Sequence, residues 1–303
     1  MPADSISQKI VQEIEVPALA ATRLGGRTRF AAGAFLVLVL LSAIYYRVIG
    51  KLVLDWWQIT DFSHGFLVPI FSGYLIWVKR KTLLRTPIAP AWSGIGLVLL
   101  GLLTLLLGIY GAELFLSRIS LLFLLAGLVL WFGGWGFLKE LRFPLLVLLL
   151  AIPIPAIILN QITVPLQLLA SKLASGLLPL FGVPVLREGN VIVLPSMKLE
   201  VAEACSGIRS LISLITLAVF CGYFVEKSSL RRLALVVASI PIAIMANAVR
   251  IFGTGLCVQY WDPDKAEGFF HEFSGWVIFL VSLGCLFATH RLMTSMLLRR
   301  RSA

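Results

Sequence analysis

The chain has 303 residues, 59% of them hydrophobic and only 14% charged, with a formal net charge of +11 and a mean hydropathy of +0.96. A soluble domain carries roughly a quarter charged residues, so this composition leaves too little polar surface for a fold in water. The apolar residues fall in long blocks, as membrane spans require.

Residues 1–29 are mostly polar and read as a cytoplasmic tail. The apolar run that follows lies too far into the chain for a cleavable signal and is read as an anchor that stays. The blocks predict an all-α polytopic membrane protein of about eight transmembrane helices: Phe30–Ile49, His64–Val78, Ile88–Ile109, Ile119–Phe132, Phe143–Leu159, Ile208–Phe224, Leu233–Phe252 and Trp276–His290. Residues 30–295 form a single membrane-embedded domain in this reading, and 296–303 a basic cytoplasmic tail.

With the N-terminus inside, the inner segments hold 17 of the 26 basic residues and 5 of the 15 acidic ones. That is the positive-inside asymmetry, with both termini cytoplasmic, and it explains the basic balance without nucleic acid. Lys79-Arg80-Lys81 and Arg299-Arg300-Arg301 are topology anchors near anionic membrane lipid.

The longest loop, Asn160–Ser206, lies outside between the fifth and sixth spans. Thr163–Phe181 is helical in period, and Thr163, Gln167, Ser171 and Ser175 recur every fourth residue, which predicts a helix lying in the outer interface. A ninth span there would reverse everything downstream, against the charge rule. Val183–Leu194 reads as two short strands around a Gly-Asn turn, and Met197–Val201 as a third strand.

Polar residues at membrane depth are costly and are candidates for function. Span six starts outside, span seven ends outside and span eight starts outside. Cys205, Arg250 and His271 therefore meet at one depth on three consecutive helices. A thiol, a guanidinium and an imidazole together are the inventory of cysteine acyl transfer: nucleophile, oxyanion stabiliser and proton carrier. Cys205 also opens a helix, where the dipole favours the thiolate.

Supporting roles fall to His64, a rival for the base, to Ser206 and Gly207, which permit close approach of a substrate backbone, and to Glu203, Arg209 and Asn247. Glu203 and Arg209 are placed to pair with each other or to orient His271 or a substrate carboxylate. No metal or other cofactor is required. Singly, each residue has a plainer reading: a packing thiol, a snorkelling arginine, a solvated histidine. Two other classes compete, a multi-span lipid or small-molecule transporter and a structural subunit with a Cys205–Cys257 disulfide. Against the transporter, no inverted repeat or acidic mid-depth residue is evident.

The stretches Ser63-His-Gly-Phe-Leu-Val-Pro69, Val201-Ala-Glu-Ala-Cys-Ser-Gly-Ile-Arg-Ser210 and Asn247-Ala-Val-Arg-Ile251, with His271 and Gly275, resemble the exosortase/archaeosortase family of membrane transpeptidase-like enzymes. The resemblance covers roughly residues 30–295. It implies catalytic roles for Cys205, Arg250 and His271. The implied partners are exported proteins with a C-terminal sorting signal: a Pro-Glu-Pro-type motif, a transmembrane helix and a basic cluster. It further implies cleavage at the outer, periplasmic face of a bacterial cytoplasmic membrane, with the new C-terminus either released by water or transferred to an acceptor, in systems linked to exopolysaccharide production. Some members of the family carry an additional soluble C-terminal domain, and none is expected here after Arg301.

Overall fold

The structure, a computed structural model, describes residues 39–201, 207–261 and 269–302, with 33, 36 and 37 besides. The chain divides into two compact units, 1–51 and 52–303, and the second carries everything that follows. Helix α1 covers residues 39–58. A 3-10 turn, Thr60–Phe66, leads into α2 (Leu67–Val78) and a short α3 (Arg80–Arg85). Helices α4 (Ser93–Tyr110), α5 (Leu114–Gly133) and α6 (Trp135–Val147) follow, and then a second 3-10 turn, Leu148–Ala151. Helix α7 (Ala156–Leu177) runs into a third such turn, Leu178–Phe181. Three strands come next: β1 (Leu186–Glu188), β2 (Val191–Val193) and β3 (Lys198–Glu200). The chain ends in α8 (Ile208–Val225), α9 (Ser229–Tyr260) and α10 (Phe269–Ser302).

An all-α membrane architecture is thus present, but the count of eight spans is not. Among the described residues six helices are long and apolar enough to cross a membrane: Ser93–Tyr110, Leu114–Gly133, Ala156–Phe181, Ile208–Val225, Ser229–Tyr260 and Phe273–Ser295. Of the expected first span, Phe30–Ile49, only part lies within the described residues. The expected span His64–Val78 divides into the 3-10 turn and the 12-residue α2. The expected span Phe143–Leu159 is broken between α6 and α7. Pro153 and Pro155 cause that break, because a proline has no amide to donate and forces its predecessor out of helical geometry.

Two ends can be told apart in the second unit. At one, Arg209 of α8 pairs with Asp61 at 3.1 Å, and the Trp56 indole donates to the Ala151 carbonyl at 2.7 Å. At the other, Lys79 donates to the Glu140 carboxylate at 3.0 Å, and Phe71 and Phe143 stack on Phe220 and Tyr223 of α8. There the buried Glu226 carboxylate forms an ion pair with Arg231 at 3.0 Å, and His290 Nδ1 lies 3.1 Å from its second oxygen.

Helix α7 is long enough to span, yet both its ends lie on the Asp61 side. Leu159 and Leu166 join the core of Ile208 and Leu211 at the start of α8. Farther on, Ala170, Ala174 and Leu178 pack against Ile251 and Val258 near the end of α9, and Tyr260 donates to the Phe181 carbonyl at 2.6 Å. The polar stripe of this helix faces protein. Thr163, Gln167 and Ser171 are buried, while Ile157, Val164 and Leu180 are exposed. Ser171 donates to the Gly189 carbonyl at 3.0 Å, and Thr163 to the Leu159 carbonyl of its own helix at 2.8 Å. An apolar outer face with a polar inner one suits contact with lipid.

The three strands form an antiparallel sheet in the order β1-β2-β3, with Arg187 opposite Ile192 and Ile192 opposite Leu199. Gly189 at φ +64° supplies the positive φ that a two-residue hairpin turn demands. Ile192, Leu194, Leu199 and Val201 bury against α7 and α9. The sheet therefore clamps the emergent part of α9 and carries the chain toward α8.

Helices α4 and α5 pack through small residues. Gly94, Gly101 and Gly108 recur every seventh position, and a Cβ at Gly127 would lie 2.7 Å from the Val98 amide nitrogen. Gly127→Leu is expected to force α4 and α5 apart, costing about 1–3 kcal/mol or more by overpacking. Gly96→Leu, at a position with nothing within 4 Å, should leave the thermal transition of detergent-purified protein unchanged.

Candidate active site

Helix α9 is 32 residues long, about 48 Å at 1.5 Å per residue, against a hydrocarbon core of about 30 Å. Its level relative to α8 is fixed by a close contact. A Cβ added to Gly207, the N-cap of α8, would lie 2.8 Å from Asn247 Cγ. Asn247 thus stands beside the start of α8, and α9 continues for about 19 Å beyond it. Gly207 has φ +74°, a left-handed conformation that a side chain resists, so the position needs glycine for backbone and space alike.

Arg250 lies one turn farther along α9. Its Nε donates to Ser274 Oγ at 3.4 Å, and a Cβ on Gly275 would sit 3.5 Å from Nη2. The guanidinium therefore lies against α10 near its beginning. Position 271 falls in the first turn of that helix, one turn before 274 and 275 and on the same stripe. The beginnings of α8 and α10 are in this way brought to one stretch of α9, from Asn247 to Arg250. Glu203, Cys205 and Ser206 lie outside the described residues, as does the side chain of His271, while Cys257 is a free thiol rather than half of the rival disulfide. Cys257 itself packs at the edge of the sheet core.

The remaining expected residues have other partners. Arg209 donates to Asp61 Oδ1 at 3.1 Å and to the Thr60 hydroxyl, tying α8 to the first 3-10 turn. His64 is buried and its Nε2 donates to the Leu150 carbonyl at 3.0 Å, joining the two 3-10 turns. The glycine after it is required by packing, since the Trp56 indole lies where a Cβ would stand, 2.3 Å away. The Ser-His-Gly stretch thus builds the rim on which α8 starts.

The sequence reading missed a cleft of about 410 Å³ at this same end, beside Ile208. Its walls include Asp55, Glu113, Arg118, Pro153 and Asn160. Arg118 is 4% exposed and donates to Asp55 Oδ2. A charge buried within a long apolar helix was the signal available, because such residues are expensive to keep.

A polytopic all-α membrane protein whose rim gathers an Asn-Ala-Val-Arg helix, the start of α8 and the start of α10 is the class defined so far. A profile of the transmembrane exosortase family matches residues 56–288, and the chain belongs to that family. No curated protein and no solved structure matched the chain.

Two variants test the geometry. Gly207→Ala is expected to lower processing of a sorting-signal substrate at least tenfold, by shifting the start of α8 against Asn247, at a cost of about 1–3 kcal/mol of backbone strain. Gly253→Ala, in α9 with nothing within 4 Å, should process normally. His64→Ala should lower the thermal transition and weaken processing less than His271→Ala does; the reverse order would make His64 the base.

Proposed function

We propose that this exosortase is a membrane cysteine peptidase and transpeptidase acting on exported proteins with a C-terminal sorting signal. Cys205 is the nucleophile, Arg250 stabilises the oxyanion and His271 carries the proton. The observation that carries the reading is the placement of Arg250 against Gly275 and of Asn247 against Gly207. It supports a site in which residues two before Gly207 and four before Gly275 reach one reacting centre. Lys79, Arg80, Lys81, Arg85, Lys227, Arg231 and Arg232 cluster toward the Glu226 end, and this supports a cytoplasmic Glu226 end and an external Asp61 end. Both termini are then cytoplasmic, and the site is on the outer face of a bacterial inner membrane.

In this mechanism the Cys205 thiolate attacks the scissile carbonyl carbon, forming the carbon–sulfur bond and a tetrahedral oxyanion. Arg250, always charged, donates to that oxygen. Collapse breaks the carbon–nitrogen bond while His271 gives a proton to the leaving amine. Water, or an amine or hydroxyl of an acceptor, then attacks the thioester, loses its proton to His271 and restores the thiolate. The signal's own transmembrane helix lies in the bilayer with its basic cluster inside, so its Pro-Glu-Pro-type motif reaches the Asp61 end.

Co-expression with a tagged substrate tests the assignment. Cys205→Ala should abolish cleavage, and Arg250→Ala should reduce it about 10²–10³-fold, as for loss of an oxyanion donor. His271→Ala should be similarly crippled, whereas Cys221→Ala and Cys285→Ala should process normally. Normal cleavage by Cys205→Ala would remove the assignment.

A further inference from the structure

The cleft beside Ile208 is not needed for the chemistry above, yet it is built for a particular ligand. Its one buried charge is Arg118, whose guanidinium carries five N–H donors. Among the described residues Arg118 has a single partner, Asp55, so most of its donors remain to be used. The carboxylates around the cleft are each accounted for. Asp55 pairs with Arg118 and Asp61 with Arg209. Glu113 caps α5 by accepting from the Phe115 amide at 3.2 Å.

Helix α7 opens at Ala156 on the wall of the cleft with no side-chain cap, and a 22-residue helix presents about half a positive charge at that end. Spare guanidinium donors and an uncapped helix start favour an anion. Besides these groups and the polar Asn160 and Thr163, the wall carries apolar surface from Pro153, Pro155, Phe115 and Leu159. An acidic side chain with apolar neighbours, on an extended peptide, fits these surroundings. Ile208 lies three residues from Cys205 in sequence, so a peptide held here is within short reach of the nucleophile.

We infer that this cleft is the subsite that reads the glutamate of the sorting motif, with Arg118 as its specificity-determining donor and the proline walls receiving the flanking prolines. This rests on the function proposed above and adds to it the residue that selects the motif.

The test uses the full chain, co-expressed with tagged substrates whose motif carries either Glu or Gln, and follows initial processing rates by pulse-chase. Wild type should process the Glu substrate at least about tenfold faster than the Gln substrate, the scale of one lost charged hydrogen bond. Arg118→Gln should process both at the slower rate. Equal rates in wild type, or an Arg118→Gln enzyme that is slower on both but keeps the preference, would overturn the inference and leave Arg118 as a structural partner of Asp55. Should Arg118→Gln fail to accumulate, Asn160→Phe narrows the cleft from an exposed position without touching the ion pair. It should slow the Glu substrate about tenfold at unchanged thermal stability, and a wild-type rate would overturn the inference. Failure of the parent reading looks different: wild type would cleave neither substrate, or Cys205→Ala would cleave both.

Discussion

The contact between Gly207 and Asn247 sets the level at which the working parts of this protein meet. Helix α8 begins there, and α9 runs past it for a further 13 residues to Tyr260. A side chain at 207 would collide with Asn247 and would have to tolerate a positive φ. With that approach allowed, the stretch from Asn247 to Arg250 stands beside the start of α8, and Arg250 reaches α10 one turn after position 271. Lengthening the separation of α8 and α9 by even an ångström at this point would spoil the close arrangement that the proposed acyl transfer needs.

The rest of the fold braces that level from both directions. Beyond it, α7 and the three-stranded sheet bury Ile192, Leu199 and Val201 against the emergent end of α9. A helix end of about 19 Å without such support would lose most of the packing that stabilises it. Around the rim, Arg209 is held to Asp61, and His64 to Leu150, so α8 starts from a fixed edge. At the opposite end Glu226 collects Arg231 and His290, which ties α9 and α10 together far from the site. Removing one partner of such a buried group leaves a desolvated charge, a far larger loss than the pair contributes when intact.

Much of this was legible in the sequence because membranes impose simple rules. The long apolar helices from Ser93 to Gly133 and from Ile208 to Tyr260 follow from composition and length alone. The Gly189–Asn190 hairpin was marked by its turn residues, since little besides glycine adopts the φ it needs. Two features were misread for a common reason. Periodicity finds a helix but does not say what its polar face meets, so the stripe from Thr163 to Ser175 marked the helix without showing that Thr163, Gln167 and Ser171 face protein. Likewise the apolar run through Phe143–Leu159 concealed a break at two prolines, a local veto that average hydropathy does not register. The cleft around Arg118 depends on residues more than 150 positions apart, from Asp55 to Ile208, and no local pattern announces it.

Under the proposed function, the Cys205 sulfur becomes covalently attached to the substrate's new C-terminus. The most direct measurement is mass spectrometry of enzyme quenched in acid during turnover of a sorting-signal substrate, with and without hydroxylamine. A hydroxylamine-labile adduct on the peptide containing Cys205, with the mass of the upstream cleavage product, is the result expected. Turnover that continues after Cys205 has been fully alkylated, or an adduct mapped to another residue, would contradict the account.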